Sequence, residues 1–79
     1  MMNAQTIRST RVAAEISASL LAAKANINRT RLSQIERRYV QPKEDELLRL
    51  SRALEQLIHA KSVVRDAAAS VGWPIGGNL

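Results

Sequence analysis

Cysteine and phenylalanine are absent from this 79-residue chain. Without cysteine there is no disulfide framework and no thiolate metal site, which fits a reducing compartment. Aromatic residues are confined to Tyr39 and Trp73. Two rings are too few for the base-stacking platforms of single-strand or RNA-binding sheets. No apolar run reaches the roughly 20 residues needed to cross a bilayer, so no membrane partner is expected. The N-terminal MMNAQTIRSTR lacks the apolar core of a signal peptide, and a cytoplasmic location is the expectation. Glycine occurs only at positions 72, 76 and 77, and proline only at 42 and 74. No glycine-rich phosphate cradle precedes a helix, and no nucleophile–base pair is visible. His59 stands alone, without a neighbour at metal-ligand spacing, and reads as an ordinary exposed or interface residue. The expectation is therefore a protein without enzyme chemistry, cofactor or metal.

What is present is positive charge and helical periodicity. The formal net charge is +5 and the isoelectric point about 10.8, a balance that favours an anionic partner. The excess is uneven. Residues 1–43 hold eight basic and two acidic side chains, whereas 44–79 hold four basic and five acidic. Glu44, Asp45 and Glu46 gather where the positive end of a helix dipole would stabilise them. A chain this short buries only a modest core, so helix packing or oligomerisation must supply much of its stability.

Residues 17–36, SASLLAAKANINRTRLSQIE, carry the densest pattern. Leu21, Ala22 and Ala25 share one face of a first helix. Ile27 falls in a turn, and Leu32 and Ile35 line the inner face of a second helix. Ala22 is small, as two steeply crossing helices require at closest approach. Ser17 and Asn28 are N-cap residues for the two helices. Asn26 between them tolerates the left-handed backbone of a tight turn. The outer face of the second helix presents Arg29, Thr30, Arg31, Ser33, Gln34 and Arg37, donors and forks suited to base edges and phosphates. Arg29 suits guanine and Gln34 suits adenine. Arg37 and Arg38 read as phosphate contacts, and Arg31 either reaches phosphate or stays in solvent.

The rest of the chain also reads as helical, with no β-alternation and no repeat. A first helix is expected over residues 4–14. Pro42 closes the loop after residue 38. A further helix starts near Glu44 and meets no stop before Gly72 and Pro74. Its apolar residues Leu47, Leu50, Leu54, Leu57, Val64, Ala68 and Val71 follow a three-four spacing interrupted by Lys61. One long helix with a dimer seam and two helices broken near Glu55 are both compatible, and the lack of Gly or Pro favours the first. Leu57, Ile58, Val64 and Val71 are the candidate dimer interface. Leu20 is a candidate contact for the C-terminal helix, and Trp73 reads as a hydrophobic cap.

Taken in register, these residues resemble the phage Cro/repressor (XRE) family of helix-turn-helix regulators over residues 7–54. The matching features are Ser17, Leu21-Ala22, Asn26-Ile27-Asn28, Ser33 with Glu36, Pro42, Leu47, Leu50 and Ala53-Leu54. The resemblance implies an all-α, compact four- or five-helix bundle of the phage-repressor type with a long C-terminal helical segment. Residues 1–54 would be the DNA-binding domain, and 55–79 a helical extension and tail for dimerisation. It implies base contacts from Arg29, Thr30 and Gln34, and a structural salt bridge between Arg11 and Glu36. Arg38, Tyr39 and Lys43 would grip phosphates from the loop. Ser17, Ser19, Asn28 and Ser33 are additional candidate contacts. Three positions depart from the family pattern. Asn26 and Arg38 replace glycines, so a left-handed cap at Arg38 would cost roughly 1 kcal/mol unless the helix runs on. Ala18 replaces a polar residue that often touches phosphate. The expected function is a dimeric transcriptional regulator of duplex DNA, most simply a repressor on a palindromic operator. An antitoxin-like regulator with a partner protein on its C-terminal helix, or an adaptor that binds no DNA, is the alternative.

Overall fold

The computed structural model describes residues 1–70, with side chains through residue 62. Four helices follow one another: α1 (Ala4–Ala13), α2 (Ala18–Ala25), α3 (Arg29–Glu36) and α4 (Glu44–Ser70). Among the described residues there is no strand. The helix starts follow local chemistry. Asn3, Ser17 and Asn28 each turn a side-chain oxygen to a free backbone N–H, from Thr6 at 2.8 Å, Leu20 at 3.0 Å and Thr30 at 2.7 Å. Each bond satisfies a donor that the first helical turn otherwise leaves unpaired. The Glu46 carboxylate returns to the backbone N–H of Lys43 at 2.8 Å, half of a capping box at the start of α4.

Left-handed residues make the sharp turns. Asn26 ends α2 at φ 56°, ψ 47°, the geometry its side chain tolerates. Arg38 adopts φ 63°, so α3 stops at Glu36 instead of running on. Glu15 does the same between α1 and α2 at φ 58°, which nothing in its residue type announced.

Ile7, Leu21, Leu32, Ile35, Leu50 and Leu54 are fully buried and draw all four helices onto one core. Each such side chain contributes about 1.5–3 kcal/mol relative to exposure. Ile16, Ile27 and the small residues Ala22, Ala25 and Ala53 complete it. The small side chains let α2 approach both α3 and α4. Ile7, Ile16 and Ala53 extend the core beyond the sequence expectation, while Leu47 is only half-buried.

α4 is one helix and does not break near Glu55. Leu57 and Ile58 continue the stripe of Leu50, Ala53 and Leu54 at helical spacing. They therefore pack, half-buried, against the chain's own core, and part of each side chain stays accessible. Lys61 donates through Nζ to the carbonyl of Ala14 at 2.5 Å, tying α4 to the end of α1. Leu20 is half exposed. The side chain of Val64, and Val71, Gly72, Trp73 and Pro74 entirely, lie outside the described residues.

Candidate nucleic-acid interface

α3 is held by its two flanks. Its buried stripe is Leu32 and Ile35, and on a helix of 3.6 residues per turn Glu36 and Arg31 fall on opposite sides of that stripe. Glu36 faces α1. Arg11 donates to it twice, Nε to Oε2 and Nη2 to Oε1, both at 2.9 Å. The third arm of Arg11, Nη1, donates to the Ile16 carbonyl at 2.9 Å. Arg31 faces α4 and forms a second fork, Nε to Glu46 Oε2 at 2.9 Å and Nη2 to Oε1 at 2.8 Å. α3 thus accepts an arginine from one neighbour and gives one to the other. Planar bidentate pairs fix orientation as well as distance.

This pairing redirects Arg31. Its guanidinium is committed to Glu46, so it is not one of the free cations of the outer face. Glu46 in turn is held well below its ordinary value of 4.5, at about 2, chiefly by the Arg31 fork and then by the Lys43 N–H. The same contact raises Arg31. Glu46 is a positioning residue that sequence reasoning placed only in the acidic start of α4. Its place three residues after Lys43 was a readable capping signal. Its partner fifteen residues upstream was not.

The uncommitted face of α3 carries Arg29, Thr30, Ser33, Gln34 and, just past its end, Arg37. Arg29, Thr30 and Arg37 are exposed; Ser33 and Gln34 are partly covered. Several candidate contacts have structural work. Ser17 and Asn28 cap helices through their side chains, while Ser19 is exposed at the start of α2. In the following loop Arg38 donates to Gln5 of α1, Tyr39 is 73% exposed, and the Lys43 side chain is exposed. Arg49 and Lys61 serve backbone carbonyls of Asn26 and Ala14. Exposed cations without a side-chain partner among the described residues remain at Lys24, Lys43 and Arg52 and, on the α3 face, at Arg29 and Arg37. Arg8 of α1 joins the last two, lining one cleft with Ala18, Arg29, Ser33 and Arg37. Sequence reasoning missed Arg8, because only the fold brings α1 beside α3.

Among the described residues no group of His, Cys, Asp or Glu could hold a metal ion. No described helix is long and apolar enough to cross a membrane. The helix-turn-helix family profile matches residues 7–56, which include α2, the Asn26 turn, α3 and its two clamps. No curated protein and no solved structure matches the chain. The chain belongs to the Cro/C1-type helix-turn-helix (XRE) family of DNA-binding transcription regulators.

Proposed function

We propose that this regulator is a repressor that binds duplex DNA as a homodimer on a palindromic operator. Each protomer lays α3 in a major groove, and the two-fold axis matches half-sites about one turn apart. Repression follows from occlusion of a promoter. The observation that carries this reading is the single uncommitted face of α3. Its charged flanks are locked by Arg11 and Glu46, so Arg29, Thr30 and Gln34 stand free of internal partners at the side-chain level. Arg29 can fork onto guanine and Gln34 onto adenine. One half-site offers few contacts, and coupling two protomers raises effective concentration without new ones. The run of α4 past Leu54, sixteen residues or about 24 Å at 1.5 Å per residue, supports a dimer contact there.

Selection of binding sites from random duplex DNA tests the reading, because it reports both motif and symmetry. A two-fold symmetric site is expected, with affinity falling steeply as salt rises. Arg29→Ala and Gln34→Ala should each cost about 1–3 kcal/mol on that site and relax preference at one base pair. An unsymmetric site would remove the palindrome. Unchanged preference in Arg29→Ala would remove α3 from the groove.

A further inference from the structure

The cleft that holds Arg8 contains more charge than the fold uses. It is lined by Arg8 and Arg11 of α1, Ala18 of α2, and Arg29, Ser33, Glu36 and Arg37 of the α3 region. Its floor is the Arg11–Glu36 pair, whose side chains are 15% and 6% exposed. That pair is neutral and closed: both carboxylate oxygens are taken. Around it stand Arg8, Arg29 and Arg37, all exposed. None of the three makes a side-chain hydrogen bond or salt bridge among the described residues. Three like charges around one concavity repel each other, and no carboxylate remains there to offset them. The methyl group of Ala18 leaves the cleft open, at about 180 Å³. A water takes about 30 Å³ in the liquid, so a tetrahedral oxyanion with part of its hydration shell fits.

We infer that Arg8 and Arg37 grip one phosphate of the DNA backbone in this cleft, making Arg8 of α1 a DNA-anchoring residue outside the helix-turn-helix. The inference rests on the proposed major-groove binding of α3. Arg29, at the start of α3, reaches for base edges. Arg8 and Arg37 line the same cleft as Ser33 and Ala18 and carry guanidinium forks that match phosphate geometry. A phosphate gripped there pins α1 to the backbone beside the groove that α3 enters. Such a contact carries no sequence information and sets register and orientation.

Arg8→Gln tests it on the full chain, with Arg52→Gln as the control; Arg52 is exposed on α4 and lines a different cleft. Binding to the selected site and to scrambled duplex is followed across a salt series. Arg8→Gln should lose roughly tenfold on both DNAs, as for loss of one charge-assisted hydrogen bond. Its salt slope should fall by about 1 per protomer. Its melting temperature should equal or slightly exceed that of wild type, because one of three mutually repelling charges is gone. A scan of duplexes carrying one neutral methylphosphonate each identifies the phosphate. One position per half-site should weaken wild type strongly and Arg8→Gln less, because Arg37 still reaches that phosphate. If wild type binds with a steep salt slope and Arg8→Gln keeps that slope and every methylphosphonate sensitivity, the cleft is not an anchor, while the groove reading stands. A lowered melting temperature with an unchanged salt slope would make Arg8 structural and overturn the inference. No binding of wild type to any duplex would overturn the groove reading and the inference together.

Discussion

Removing the Glu36 carboxylate is the most informative perturbation of this fold. In Glu36→Ala the Arg11 guanidinium keeps only the Ile16 carbonyl, having lost both 2.9 Å bonds to Glu36. The arginine is 15% exposed at its side chain, so water reaches it poorly. Breaking a buried pair by deleting one partner costs about 3–5 kcal/mol, mostly because the remaining charge is uncompensated. Arg11 lies under an open cleft and can gain some water, which places the expected cost near the lower end, about 3 kcal/mol. For a domain of this size each kcal/mol moves the melting temperature by about 4–8 °C, so a fall of roughly 12–24 °C is expected. Thermal unfolding followed by far-UV circular dichroism measures it. The double variant Arg11→Met with Glu36→Leu removes both charges and should recover part of the loss, short of wild type because the Ile16 carbonyl is left without a donor. A Glu36→Ala melting temperature within a few degrees of wild type would show that the pair does not brace α3. Equal destabilisation in the single and double variants would show that stranded charge is not the cause.

Two further outcomes follow from the other flank and the loop. Glu46 titrates at about 2 in the folded chain against an ordinary 4.5. A depressed carboxylate stabilises fully above the unfolded value and loses that contribution as pH falls from about 4.5 toward 2. Melting temperature should drop across that window in wild type and more shallowly in Glu46→Gln; identical pH profiles would disprove the coupling. Arg38 sits at φ 63°, where a side chain costs about 1–2 kcal/mol and glycine's extra entropy loss is about 0.5–1 kcal/mol. Arg38→Gly should therefore gain about 0.5–1 kcal/mol, raising the melting temperature by roughly 2–8 °C, while weakening binding to all DNA sequences alike. A lower melting temperature would mean that the contact with Gln5 outweighs the backbone strain.

The parts of this protein that the sequence determined by itself are those governed by neighbours within one helical turn. Ser17 and Asn28 cap because a side-chain oxygen reaches a backbone N–H two or three residues on. Asn26 turns because its own side chain tolerates a left-handed backbone. The inner and outer faces of α3 follow from spacing alone, as Leu32 and Ile35 against Arg29, Thr30 and Gln34. α4 stays continuous because neither glycine nor proline interrupts it. The tertiary structure decided whatever depended on which helices meet. Arg31 looked like any other cation of the outer face until α4 brought Glu46 to its flank. Arg8 joined the cleft only when α1 packed beside α3. Leu57 and Ile58 have helical spacing whatever they pack on, and only the crossing of α4 lays them half-buried against the domain's core. Periodicity specifies a face of a helix; the partner of that face is set by packing between segments far apart in the chain, which no local pattern encodes.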